Sequence, residues 1–538
     1  MNSFQPADYW VFIAYFLIVS GYGYWVYRKK NSQRDKAKDF FLAEGALTWW
    51  AIGASLIASN ISAEHFIGMS GSGFAIGLAI SSYEWMSAAT LIVVAVFFIP
   101  IYLKNKIYTM PQFLSLRYND TVATIMAVFW LLLYIFINLT SILYLGALAI
   151  ETVAGVPFVY GLILLAIFAI LITLGGMKVI GYTDVIQVVV LILGGLATTY
   201  LALKMVSDHF GGSGVLDGLS LLKTQADDHF HMIFSEGDKY YYELPGMAIL
   251  IGGMWINNLN YWGCNQYIIQ RTLGADLQTA RSGIIFAAFL KLLIPLICVI
   301  PGIAAYVLFQ NGYFQTEMVD AMGVLKPDHA YPSLIQLLPM GLKGLAFAAL
   351  TAAIVASLAG KCNSISTIFS LDIYQKFFDK EASQKKIVKV GRLAVLGAFA
   401  IALVIAPQLR HLDQAYQFIQ EYSNYITPGA FALFFLGLFW KKTTSKAAII
   451  AAVLTIPLSV LFKLLPDILH TNPIPFLNRT MWVFSILVAI MVVVSLTEKK
   501  DNPKGLEIDR KMFAVSPAFT IISIAICGIL AALYTVFW

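Results

Sequence analysis

ASNISAEHF, Ala58 to Phe66, decides how this chain folds. It sits in the middle of an apolar segment, 47–72, with Ser55 one turn ahead of it. Ser55, Ser59, Asn60 and Ser62 crowd a region otherwise suited to hydrocarbon. Small hydroxyl and amide residues let a membrane helix unwind where its exposed carbonyls line a protein-enclosed cavity. The same residues can instead hydrogen-bond within an intact bundle. A second segment, 246–265, has the same character: Asn257, Asn258 and Asn260 follow Gly252 and Gly253. Four apolar segments (76–103, 121–151, 157–175 and 180–204) lie between the two, so each breakable segment opens a group of five. That spacing is expected of an inverted repeat whose first helices are broken.

The composition agrees with a bilayer setting. Of 538 residues 59% are hydrophobic and 12% charged, with mean hydropathy +0.76, against about 25% charged in soluble proteins. Fourteen apolar stretches run from 8–27 to 518–538, each long enough to cross a ~30 Å hydrocarbon core as a helix. The first ends in Arg28, Lys29 and Lys30 and has no small-residue cleavage site, so it reads as a retained helix. Most of the 36 basic residues fall in alternate connections, beginning with RKKNSQRDKAK. The positive-inside rule then places both termini outside the cytoplasm. The same bias accounts for the net charge of +6 without nucleic acid. The long outer connections, 205–245 and 311–340, have room for short helices. Four cysteines show neither metal spacing nor a disulfide framework.

Ionisable residues inside apolar segments are costly and mark solute pathways. Glu64, Glu84, Asp184 and Lys291 qualify, and Lys361 lies deep in 341–370 with no evident role. In YEWMS, Tyr83, Glu84 and Ser87 are spaced to share a helix face. A carboxylate suits sugar hydroxyls, each of which can donate to it; it can equally pair with a lysine. Lys291 could neutralise Glu84 or donate to a ring or hydroxyl oxygen. Tyr261 and Trp262, taken to follow the second break, offer faces for a pyranose ring or a gate, or else pack as ordinary aromatics. AAIVASLAGKCNS, Ala352 to Ser364, is rich in small residues. Carbonyls near Ala58 and Ile61 with the Ser357 hydroxyl could hold a sodium ion; close helix packing is the alternative. GMSG, Gly68 to Gly71, with His65 nearby, is a weak match to intramembrane proteases, and no H-E-x-x-H occurs. The reading is of a carrier and not an enzyme.

The motifs DFFLAEGALTWWAIGASLIASNISAEHFIGMSGSG, GGMKVIGYTDVIQ, NQYIIQRTL, NSISTIFSLDIY and GLFWKKTTSKAAI resemble the sodium/solute symporter family, nearest its sodium/galactose and sodium/glucose members. The resemblance implies an all-α, LeuT-type membrane protein of 14 transmembrane helices: a leading helix (8–27), a ten-helix core of two inverted repeats (47–440) and three trailing helices (446–538). It implies sugar binding by residues matching Asn60, Glu84, Ser87, Asn258, Lys291 and Gln420. Gates match Tyr261, with Trp262 beside it, and an outer lid of Met69, Tyr83 and Tyr416, the last replacing a Phe. Sodium is held by carbonyls matching Ala58, Ile61 and Ala353 and by the Ser357 hydroxyl. The chain departs from the pattern at two places. His65 replaces a glutamine; either can hydrogen-bond a hydroxyl, so binding is kept and the preferred sugar is left open. Ala356-Ser357 replaces paired serines, which removes one hydroxyl from the sodium site.

The expectation is therefore sodium-coupled symport of a neutral hexose, glucose or galactose, in the inner (cytoplasmic) membrane, with Na⁺ as coupling ion and one Na⁺ per sugar. Glu84 argues against an anionic sugar, because like charges repel strongly in a low-dielectric site. Asp184 is expected to pair with a basic residue. A sodium symporter for another small polar solute and a symporter-like nutrient sensor stay open; no soluble domain appears, which weighs against the sensor. The bilayer is a partner, and a homo-oligomer is left open.

Overall fold

Helices take up nearly every apolar segment in the computed structural model, which describes residues 5–28, 47–107, 109–173, 177–319, 323–411, 415–498, 504–506 and 508–538. The basic stretch at 29–38 and the start of the first family-like motif lie outside the described residues. Among the described residues, nine helices are long and apolar enough to cross a membrane, and Phe158–Thr173 and Thr427–Phe439 are shorter apolar ones. The longest uninterrupted α-helix, Leu277–Gln310, has 34 residues and runs through the centre. Asp276 caps it, its carboxylate accepting from the amides of Gln278 and Thr279. Pro295 and Pro301 lie within it; neighbouring helices make such interruptions tolerable in membrane proteins.

The first break falls where the serines and asparagine predict it. Trp49–Asn60 ends at Ile61, whose backbone is extended. Ser62 then restarts the chain: its hydroxyl accepts from the Glu64 amide (3.1 Å) and its carbonyl from the His65 amide (3.1 Å). That is how a serine stabilises a helix start. A wide π turn, Glu64–Met69, leads into Ser70–Ile76. Gly77 makes the next turn at φ +91°, where a Cβ would also lie 2.4 Å from the His229 carbonyl oxygen.

Both halves of the broken helix lie against Leu277–Gln310 through glycines. A Cβ on Gly53 would come 2.7 Å from the Gly283 carbonyl oxygen, and one on Gly302 would come 2.1 Å from that of Ser70. Without water to drive association, such close backbone approach is a main source of helix–helix attraction in a bilayer. Asp8 of the leading helix Pro6–Arg28 docks that helix by accepting from the amides of Gly341 (2.7 Å) and Gly344 (3.0 Å). These groups lie at the start of Leu342–Thr367, so the aspartate caps a helix other than its own.

The second broken segment corrects the expectation. The asparagines at 257, 258 and 260 are helical, within Gly253–Gly263, and the backbone departs from helix on either side, at Ile251–Gly252 and at Cys264–Asn265. Tyr261 and Trp262 thus follow one departure from helix, at Ile251–Gly252, and precede the other, at Cys264–Asn265. Asn258 turns its side-chain N–H back onto the Met254 carbonyl (3.1 Å) and so is content in a helix. At Gly253 a Cβ would lie 2.1 Å from the Leu477 carbonyl oxygen, so the glycine serves close approach to the Phe476–Thr497 helix. The carbonyl of Gly263 at the break accepts from the Tyr102 hydroxyl (2.7 Å).

Segment 414–440 also differs: it is two helices, Ala415–Ser423 and Thr427–Phe439. Pro428 stands in the first turn of the second, where its missing backbone N–H leaves no intrahelical bond unmade. Arg117 closes the far end, donating to the carbonyls of Gly437, Trp440, Lys441 and Thr443. The long connections carry short helices as expected, Val215–Gln225 and Ala330–Leu337. A cavity of about 1110 Å³, lined in part by Phe74, His229, Tyr240, Tyr306 and Trp538, opens beside the far end of the 64–76 half-helix.

Candidate functional site

The break at Ile61–Ala63 faces a buried polar cluster. Glu84 lies in the first turn of the α-helix Ser82–Val93. One carboxylate oxygen is paired with the Lys291 ammonium, and the other lies 3.3 Å from His65 Nε2. Lys291 also donates to Asn60 Oδ1, and Asn60 Nδ2 donates to the Tyr261 hydroxyl (2.9 Å). The Tyr267 hydroxyl donates to Tyr261 in turn. Ser87 Oγ lies 2.6 Å from Asn258 Oδ1 and 2.7 Å from the Tyr83 carbonyl oxygen. Lys291 is wholly buried and Glu84 is 3% exposed, so each charge depends on the other.

Aromatic side chains close this cluster. Tyr416 meets Tyr83 edge-on, with centroids 5.4 Å apart, and lies 6.3 Å from the His65 ring. Gly68 admits Tyr416; a Cβ there would lie 2.9 Å from the tyrosine's own. Met69 shares the π turn with His65 and is fully buried. Gln420, one turn beyond Tyr416, hydrogen-bonds its hydroxyl. On the other side Trp262 puts its ring 5.0 Å from the Lys291 ammonium and 5.1 Å from the ring of Tyr261.

The structure thus brings Asn60, His65, Glu84, Lys291 and Tyr261 into one network, joins Ser87 to Asn258, and sets Tyr83, Tyr416 and Gln420 beside them. One expectation changes: Tyr261 contributes its hydroxyl as well as its ring. Tyr267 was not anticipated. It follows the departure from helix at Cys264–Asn265, where helical spacing no longer relates it to its neighbours in sequence.

A second cluster lies across the break. Ser357 Oγ donates to the Ser59 carbonyl oxygen at 3.2 Å. Ala353 is one turn before Ser357 on the same helix, and both are buried. The amides that would close helical bonds to Ala58 and Ile61 turn elsewhere: Ser62 N to His65 Nδ1, His65 N to the Ser62 carbonyl. Those carbonyls are available as hard oxygen donors. The Ser59 hydroxyl is buried without a hydrogen-bond partner. Nearby, Asp184 accepts from Ser55 Oγ (2.5 Å) and lies 3.7 Å from the Arg271 guanidinium, which also donates to Ser55 Oγ (2.7 Å). Asp184 is therefore paired with a basic residue, as expected.

Known proteins resemble this chain in sequence and in fold. The model of the sodium:solute symporter family matches residues 40–455. The sodium/glucose cotransporter of Vibrio parahaemolyticus is 48% identical over 540 residues, covering 99% of this chain and 98% of that one. The sodium/myo-inositol cotransporter 2 of Sus scrofa is 34% identical over 498 residues, covering 88% of this chain and 72% of its own. Among solved structures, a substrate-bound, outward-open Na⁺-coupled sialic acid symporter superposes with TM-score 0.79 at 23% identity, over 93% of this chain and all of that one. A nucleobase-cation-symport-1 family transporter does so at 0.51 and 14% identity, over 90% of this chain and 97% of that one. These likenesses establish the fold as LeuT-type. The chain is a multi-pass membrane protein that belongs to the sodium:solute symporter family.

Proposed function

We propose that the chain carries a neutral hexose, glucose or galactose, across the inner membrane together with Na⁺, by alternating access. The observation that carries this reading is Glu84 held between Lys291 and His65 beside the helix break. Such a trio offers a charged acceptor, a charged donor and a ring nitrogen to a molecule whose surface is hydroxyls. In the absence of sugar these groups satisfy one another. A sugar displaces those bonds one for one, so selectivity comes from which hydroxyls can reach all partners at once. Asn60, Ser87, Asn258 and Gln420 supply neutral hydrogen bonds. Met69, Tyr83 and Tyr416 close the site outward, and Tyr261 with Trp262 closes it inward.

The coupling ion is held by the carbonyls of Ala58, Ile61 and Ala353 and the Ser357 hydroxyl. It tethers the broken helix to Leu342–Phe377, so ion binding sets the shape of the sugar site. One Na⁺ gains about 2.3 kcal/mol per 100 mV, and a tenfold gradient adds about 1.4 kcal/mol. Together they sustain a sugar gradient of several hundredfold. The fourteen apolar segments are assigned as one leading helix, a ten-helix core and three trailing helices, with both termini outside. The cavity beside Phe74 and Tyr306 serves as the outer entrance.

The test is uptake of radiolabelled glucose and galactose into proteoliposomes with and without a sodium gradient, against a competitor panel that includes myo-inositol. Accumulation only with inward sodium supports the proposal. Uptake that never exceeds equilibration would leave a channel. Preference for a cyclic polyol would move the substrate class, and sodium-dependent binding without uptake would leave a sensor.

A further inference from the structure

Lys361 takes no part in the scheme so far, yet its position is specific. It lies one helical turn after Ser357, 2% exposed. Its ammonium is 3.4 Å from Ser357 Oγ, 3.9 Å from the Glu64 carboxylate and 5.3 Å from the centre of the Tyr267 ring. Ser357 spends its one proton on the Ser59 carbonyl, so it meets Lys361 with a lone pair. A sodium ion at Ser357 needs a lone pair of that same oxygen. An ion bound there at about 2.4 Å, a usual distance to a hard oxygen, would lie within about 6 Å of the ammonium. Two positive charges at that range in a buried site repel strongly. Room exists for the ammonium to move: its separation from Glu64 is longer than a close ion pair, and the other side chains on the Glu64 carboxylate among the described residues are the Ser62 and Ser141 hydroxyls, each at 3.3 Å.

We propose that Lys361 is a tethered counter-cation of the sodium site: it leans on Ser357 when sodium is absent, and sodium drives it onto Glu64. This rests on the reading of Ser357 as a sodium ligand. The arrangement has two consequences. Sodium binds more weakly than its oxygen ligands alone would allow, which suits an ion that must be released into the cytoplasm. The ion-free carrier keeps a positive charge beside Glu64, so it does not reorient with an unbalanced buried carboxylate.

The experiment measures sodium affinity of the purified full-length protein without sugar. The readout is the rise in Tm, and the change in tryptophan fluorescence, as N-methylglucamine is exchanged for Na⁺ at constant ionic strength. Lys361→Met is expected to tighten sodium binding by about tenfold or more, and Lys361→Arg to stay near wild type. Lys361→Met leaves Glu64 without its cation, so the Glu64→Gln/Lys361→Met double variant, which buries no charge there, covers the case in which the single variant does not fold. It is expected to show the same gain. Ser357→Ala separates the two readings. If Ser357→Ala loses the sodium response while the Lys361 variants bind sodium no more tightly than wild type, the counter-cation proposal falls and the sodium site stands. If Ser357→Ala binds sodium like wild type, both fall together. A structural ion pair alone would lower Tm in Lys361→Met without changing sodium affinity.

Discussion

Lys291 and Glu84, 207 positions apart in sequence, form a fully buried ion pair at the centre of the carrier. Removing one partner of such a pair strands the other charge, at a cost of about 3–5 kcal/mol. Stability and sugar binding are therefore entangled at these two residues, and a useful variant must separate them.

We expect Glu84→Gln to lose sugar binding by roughly ten- to a hundredfold, because a charge-assisted hydrogen bond contributes about 1.5–3 kcal/mol. Sodium binding should persist. The Glu84→Gln/Lys291→Met pair should recover thermal stability but not sugar affinity. Calorimetric titration with sugar checks the first point and Tm the second. Wild-type affinity in a well-folded Glu84→Gln protein would remove the carboxylate from the sugar site.

Tyr261→Phe should be intermediate, and Tyr261→Ala severe. The ring is retained in the first, but Asn60 and Tyr267 lose a shared hydroxyl partner, a loss of about 0.5–1.5 kcal/mol for a typical bond. Initial uptake rates across sugar concentrations measure this. Phe indistinguishable from wild type would mean that only the ring matters.

One sodium per sugar is expected, because Asp184 is already committed to Ser55 and Arg271 and Ala356 offers no side-chain oxygen. Ser357→Ala should abolish sodium-driven accumulation. Reversal potentials in proteoliposomes give the coupling ratio. A ratio near two would point to a second ion.

Gly302→Ala should destabilise the protein severely, since its Cβ would lie 2.1 Å from the Ser70 carbonyl oxygen, where only backbone can give way. Overpacking in a well-packed interior costs about 1–3 kcal/mol or more. Gly528→Ala, with open space around the added methyl, is the control. Equal Tm values for the two would show that the helices part without cost.

Asp276 should support stability in a pH-dependent way. Hydrogen bonds from the Thr279 side chain and amide hold its carboxyl below the usual range. A depressed folded value means the contribution is fully present above about pH 4, the unfolded value, and is lost as pH falls further. Asp276→Ala should cost about 0.5–2 kcal/mol at neutral pH. The gap in Tm between variant and wild type should narrow toward pH 3, and a constant gap would mean that the charge is irrelevant to the cap.

Much of this protein was legible in one dimension. The bilayer admits few solutions, so apolar length and the lysine and arginine pattern already imply a helical bundle. Ser55, Ser59, Asn60 and Ser62 pointed to the first break, and the recurrence of a like cluster five segments later favoured a break over hydrogen bonding within an intact bundle. Glu84 and Lys291 marked the site because neither can face lipid.

Other features were not legible there. The asparagines at 257, 258 and 260 look like a break but are helical, because Asn258 bonds back to Met254 while the chain bends at Gly252 and Asn265 instead. The break within 414–440 falls at 424–426, ahead of Pro428, and apolar length alone does not show it. Lys361 had no role until the fold set it beside Ser357 and Glu64. By itself the sequence determined the helical class, the family and which residues are too polar to be idle. Only the tertiary structure decided which of them meet. A charge buried in hydrocarbon demands a partner, but nothing in its local sequence says which distant helix will supply one.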